Sequence, residues 1–210
     1  SPTPPATPPA ATLAPAAAQQ LACTKRRLVL VDVLRRGGRV KLLGVADRAL
    51  AGREVAIRFK ATGKVVARPT VQPDGTFTAT APLPARRLRD SNRARYQAVA
   101  GDEKSLDLKL ARRMVWRSVR SSGGEVRLRG RVLPPLARPA ATIVVKRRVS
   151  CSRYEVVKRF KPRRSGRFSV TVDAPSALAA TYRLQTRVRR TKRSRTTFRT
   201  FTLPRSVEIG

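Results

Sequence analysis

The residue types that carry out most enzyme chemistry are nearly missing from these 210 residues. There is no histidine. That removes Ser-His-Asp and Cys-His triads, imidazole metal sites and the usual general base near neutrality. Twelve carboxylates are scattered along the chain, and the one adjacent pair, Asp102-Glu103, falls in an expected turn where a solvated loop is its natural reading. No P-loop or GxGxxG spacing occurs. Asn92 is the only asparagine and sits in a polar loop, a poor start for a Lys-Asn cross-link. The sequence therefore leads us to expect no enzyme, no cofactor, no metal and no small-molecule substrate.

Thiols and cations remain. Lysine and arginine number 47 against 12 acidic residues, a formal charge of +35. Residues 23–110 carry 20 basic and 8 acidic side chains, and residues 111–210 carry 27 and 4. Such a field attracts polyanions: nucleic acid, anionic glycan, a wall polymer or an anionic membrane surface. The richest stretches are Lys158, Arg159, Lys161, Arg163 and Arg164, then Arg187, Arg189, Arg190, Lys192, Arg193 and Arg195, with Lys146-Arg147-Arg148 a third. Few aromatics interleave them, so contact with phosphate or sulfate without sequence preference is the functional reading. Against it stands a compositional one, in which arginine is simply the default exposed residue.

What positions these groups is a duplication. Arg26-Arg27-Leu28-Val29 returns 86 residues later as Arg112-Arg113-Met114-Val115, Gly37-Gly38 as Gly123-Gly124, and Val40-Lys41-Leu42-Leu43-Gly44 as Val126-Arg127-Leu128-Arg129-Gly130. The offset becomes 91 at Gly75-Thr76-Phe77 and Gly166-Arg167-Phe168, then returns to 86 at Tyr96 and Tyr182. Period-two alternation dominates both copies, the pattern of antiparallel strands with one buried and one wet face. We read seven strands per copy: near 27–34, 39–45, 54–60, 64–69, 75–81, 94–100 and 105–110, and near 113–119, 125–132, 141–149, 153–160, 166–173, 181–190 and 196–203. A short helical turn fits 83–93. The expected fold is all-β, two tandem seven-stranded antiparallel sandwiches at 23–110 and 111–210.

Residues 1–22 form a Pro/Ala-rich tail. Proline fixes φ and removes donors, so it is expected to be extended or polyproline-like and not helical. Pro4, Pro5, Pro8, Pro9, Leu13 and Pro15 are its candidates for docking on a neighbouring subunit, by wrapping or strand addition. No run of 18 apolar residues predicts a transmembrane helix.

Strand parity places Cys23 at the bottom of the first copy and Cys151 at a hairpin tip at the top of the second. Copies stacked end to end would separate the thiols by roughly 60–90 Å, whereas a disulfide needs Cα atoms within about 7 Å. Three arrangements stay open: a head-to-tail bond between subunits, an inter-domain bond in a folded-back chain, or two free thiols. The first would generate a filament.

The order Gly-Gly-x-Val-x-Leu-x-Gly, a Val-x-Ile-x-Phe/Val strand, Gly-x-Phe and then Tyr, over residues 24–205, resembles the immunoglobulin-like and fibronectin-type repeats of secreted actinobacterial proteins. The resemblance implies Ig-like sandwiches, a secreted or cell-surface location and a structural role. It also implies that Tyr96 and Tyr182 are core or tyrosine-corner residues. Trp116 is expected at the junction of the copies. The resulting expectation is a non-enzymatic extracellular structural protein, a self-associating filament subunit whose tail docks on a neighbour. The alternative is a monomeric envelope or matrix protein binding polyanions.

Overall fold

Alternation becomes strand wherever the chain can bury every second residue. The computed structural model describes residues 11–210, so Pro4, Pro5, Pro8 and Pro9 lie outside the described residues. The first copy forms β1 (Leu28–Arg36), β2 (Arg39–Ala46), β3 (Ala56–Phe59), β4 (Lys64–Ala67), β5 (Thr76–Pro82), β6 (Arg95–Ala100), β7 (Glu103–Lys104) and β8 (Leu108–Lys109). The second forms β9 (Met114–Ser122), β10 (Glu125–Val132), β11 (Ile143–Arg148), β12 (Tyr154–Phe160), β13 (Arg167–Asp173), β14 (Ala179–Arg189), β15 (Thr197–Phe201) and β16 (Arg205–Glu208). Helix α1 spans Pro15–Leu21 and α2 spans Arg86–Arg89, inside the stretch expected to turn.

All sheets are antiparallel, and strand order is the same in both copies. The first, second and fifth strands form one sheet, β1-β2-β5 and β9-β10-β13. The fourth, third and sixth form the other, β4-β3-β6 and β12-β11-β14, edged by a seventh strand in two pieces. The fourth strand thus pairs with the third, not with the fifth as in a constant-type immunoglobulin domain. The seventh strand is broken because Ser105 in the first copy and Leu203-Pro204 in the second interrupt the ladder along β6 and β14. Each pair of sheets encloses its own core, one ending at Leu110 and the next beginning at Met114.

The duplication reaches the irregularities. A bulge leaves Val31 unpaired in β1 and Arg117, 86 residues on, unpaired in β9. A second leaves Val66 unpaired in β4 and Val157, 91 on, in β12. Gly44 faces Phe77 across β2 and β5, and Gly130 faces Phe168 across β10 and β13. In each copy the ring lies where a glycine Cβ would be, so the Gly and the Gly-x-Phe motif make one notch-and-ring device. Tyr96 and Tyr182 are core residues.

Two expectations are corrected. Trp116 is not at the junction. It is buried in the second core and donates from Nε1 to the carbonyl oxygen of Leu203 at 2.7 Å. Nor is the tail extended throughout. Pro15 sits at the first turn of α1, where its missing N–H costs nothing, and Ala16-Ala17-Ala18-Gln19-Gln20-Leu21 are good helix formers. Seven residues are too few for a stable isolated helix, so packing must hold it.

Gly130→Ala places a Cβ against the Phe168 ring and 2.5 Å from the carbonyl oxygen of Val115. We expect a loss of about 1–3 kcal/mol by denaturant unfolding, with a smaller loss for Gly44→Ala, whose Cβ meets the Phe77 ring and no backbone atom. Burial pushes the Tyr96 phenol from 10.0 up to about 12. The unfolded chain releases that proton first, so stability should fall as pH rises from about 10 to about 12. Midpoints measured against pH should flatten over that window in Tyr96→Phe.

Candidate functional site

One fully buried side chain of the first copy is charged, and it stands opposite Leu43 on the face away from that copy's core. Asp32 lies on β1 beside the bulge and is fully buried, 0% exposed. Its Oδ1 accepts from the Val33 amide at 2.9 Å and from Nη2 of Arg112, in the connection between β8 and β9. Its Oδ2 accepts from Nη2 of Arg205, the first residue of β16. Arg112 also donates to the carbonyl oxygens of Val33 and Lys109, at 2.7 and 3.1 Å. One carboxylate therefore ties the first copy, the connection and the second copy together. Burial pushes the Arg205 guanidinium below its usual range, and Asp32 opposes that shift.

Helix α1 is the second tie. Ala17 packs on Val31 and Val45 of the first copy, joined by Ala14 and Leu21 against Val29 and Leu43. On the other side, Gln19 accepts from Arg148, and Gln20 donates to the carbonyl oxygen of Pro204 and accepts from the Ser206 amide, both at 3.1 Å. The helix is a wedge with an alanine face to one sandwich and an amide face to the other. Of the candidates for docking on a neighbour, Leu13 lies against Gly75 of its own chain and Pro15 opens α1, with the Ala14 amide bonded to the carbonyl oxygen of Asp74 at 2.9 Å.

The third tie is covalent. Cys23 and Cys151 form a disulfide within the chain, with Cα atoms 5.2 Å apart. Of the three arrangements left open by strand parity, this is the inter-domain bond of a folded-back chain and not the head-to-tail bond of an end-to-end rod. The copies fold back side by side, so the bottom of one meets the top of the other. Closing a separation of 128 residues contributes about 4–5 kcal/mol in the chain-entropy model.

Of the basic candidates, the structure separates structural from available charge. Arg189 is buried and donates to the carbonyl oxygens of Leu136 and Lys192 at 2.7 and 2.6 Å, so it cannot contact a ligand. Arg187 bonds Thr197 across the hairpin, and Lys158 bonds the carbonyl oxygen of Thr171 at 2.8 Å. Arg159, Lys161, Arg163, Arg164, Arg190, Lys192, Arg193 and Arg195 are exposed, with no carboxylate in ion-pair range among the described residues. Because β12 and β14 run the same way on either side of β11, the loops after both open at one end of the second sandwich. Arg183 stacks between Tyr154 and Phe201, at 4.5 and 5.1 Å from the ring centroids. Glu103 and Asp47 face Arg27, Glu54 faces Arg68 and Glu155 faces Arg147, so these carboxylates are engaged in ion pairs.

Removing one member of the buried triad leaves uncompensated charge. Asp32→Ala should cost about 3–5 kcal/mol in denaturant unfolding. Replacing Asp32, Arg112 and Arg205 together by Leu, Met and Met should cost much less. An equal loss in both variants contradicts this account of the triad.

No family model matches the chain, and no curated protein matches it. Among solved structures it is similar to a biofilm associated protein's BSP domain, at 12% identity and TM-score 0.39, over 88% of this chain and 30% of that one. It is also similar to a tetra-tandem repeat in the extending region of a large adhesion protein, at 18% identity and TM-score 0.31, over 86% of this chain and 48% of that one. A third is the chicken interferon gamma receptor alpha chain, at 12% identity and TM-score 0.30, over 87% and 97%. The chain thus spans less than half the length of the first two.

Proposed function

We propose that the chain is a non-enzymatic extracellular structural module, a locked pair of β-sandwiches that attaches to anionic polymer in an envelope or matrix. The observation that carries this reading is the distribution of charge. The carboxylates are few, several are engaged in ion pairs, and Asp32 is buried. The second sandwich carries many more arginines and lysines than carboxylates, and its exposed loop cations have no carboxylate in ion-pair range among the described residues. The intrachain disulfide fits an oxidising compartment. No helix among the described residues is long and apolar enough to cross a membrane.

A head-to-tail filament rested on thiols open to bridge subunits and on a tail open to dock on a neighbour. The chain uses both internally over residues 13–23, which leaves polymer attachment as the better-supported role. Fluorescence anisotropy with labelled single-stranded oligothymidylate and with poly(glycerol phosphate) tests it. For about six or more phosphate contacts, affinity should fall on the order of 100-fold or more between 50 and 200 mM salt. No binding at 50 mM salt, or binding indifferent to salt, contradicts the reading.

A further inference from the structure

Resting on that reading, we infer that its site is the outer face of β9-β10-β13, completed by Arg36 of the first copy, and that it takes the backbone of a single, extended phosphodiester chain. The inference begins with the duplication. In the first copy, Val29, Val31, Leu43 and Val45 form the outer face of β1-β2-β5, and α1 covers them. Their counterparts 86 residues on are Val115, Arg117, Arg129 and Arg131. The face that is apolar and helix-covered in one copy is arginine-rich and uncovered in the other, its three arginines exposed.

The groove there holds about 250 Å³ and is lined by Arg36, Arg117, Ser118, Arg120, Arg127 and Arg129. Its cations are all guanidinium groups, the planar forks suited to bidentate contact with an oxyanion. Arg36 reaches over from the β1–β2 hairpin and donates to the carbonyl oxygen of Arg117. The bulge at Arg117 adds a side chain that a regular ladder would not offer.

Repulsion is built into this face. Arg127 stands directly opposite Arg120, and Arg131 directly opposite Arg167. Like charges directly opposite destabilise a sheet, and no carboxylate pairs with any of these four among the described residues. Glu125 and Asp173, the acidic pair of the sheet, face each other two residues before Arg127 on the same face, and neither is in ion-pair range of it. An anion between the arginine pairs relieves both.

Shape and spacing narrow the ligand. Arg127, Arg129 and Arg131 repeat every second residue, about 7 Å apart along β10, a row suited to regularly spaced charges on an extended chain. In a phosphodiester polymer the charge lies in the thread itself and enters a narrow groove. In a sulfated glycan it hangs from ring-sized units. The groove lining contains no aromatic side chain for a base to stack on, so recognition runs through the backbone.

The test uses the full oxidised chain and the two probes above, with heparin as competitor. Arg120→Gln, Arg127→Gln and Arg129→Gln are exposed changes and are combined in one variant. An equal charge is removed at the loop end by Arg163→Gln, Arg164→Gln and Arg193→Gln. The groove variant should bind both probes at least ~10-fold more weakly and lose about 2 from the salt slope. The loop variant should change several-fold less. Equal losses in the two variants, or a larger loss at the loops, overturn the site while leaving polymer attachment standing. Heparin outcompeting both probes at equal charge overturns the phosphodiester assignment. Absence of wild-type binding overturns the attachment reading itself.

Discussion

The arrangement of the two copies depends on where one buried carboxylate sends its oxygens. Asp32 meets Arg112 with one and Arg205 with the other, so a buried side chain on the outer face of the first copy fixes both the connection and the last strand of the second copy. Burying three charges is expensive, and the net charge of the triad is positive. Such a group is weak evidence for stability and stronger evidence for specified geometry. Another docking of the copies would take Arg205 from Asp32 and leave one of its oxygens buried without a charged partner.

Helix α1 acts beside that contact, with Gln20 bonded to Pro204 and Ser206 on either side of Arg205, and the disulfide follows it. The helix fills the space between the outer face of the first copy and β14 and β16, and Cys23, two residues beyond it, reaches Cys151. Equivalent faces have therefore diverged. In the first copy the outer face of the three-stranded sheet serves internal packing. In the second it carries arginines to the surface, and Arg36 of the first copy stands at their edge.

Much of this was legible beforehand. Strand positions followed from period-two alternation because each strand has one wet face, and the Gly-x-Phe repeat marked a real structural device. The tail's prolines mask the helix in the sequence, although the last of them stands at a helix start and is followed by three alanines. The fold-back was left open because strand parity says which end a residue occupies and nothing about how two copies dock. Its signal was present in Leu30-Val31-Asp32-Val33-Leu34, a carboxylate inside an apolar strand, with surplus arginines at Arg112 and Arg205 to answer it. The basic loops stood out as runs in sequence. The arginine face did not, because alternation spaces its members and a groove is assembled across strands.

Small-angle X-ray scattering of the oxidised chain tests the central claim, that the copies are locked side by side. A compact chain of this length should have a radius of gyration close to ~17 Å, and reduction combined with Asp32→Ala should increase it. A wild-type oxidised particle that scatters as an end-to-end rod, with a long dimension of roughly 60–90 Å and no response to those changes, would contradict the account.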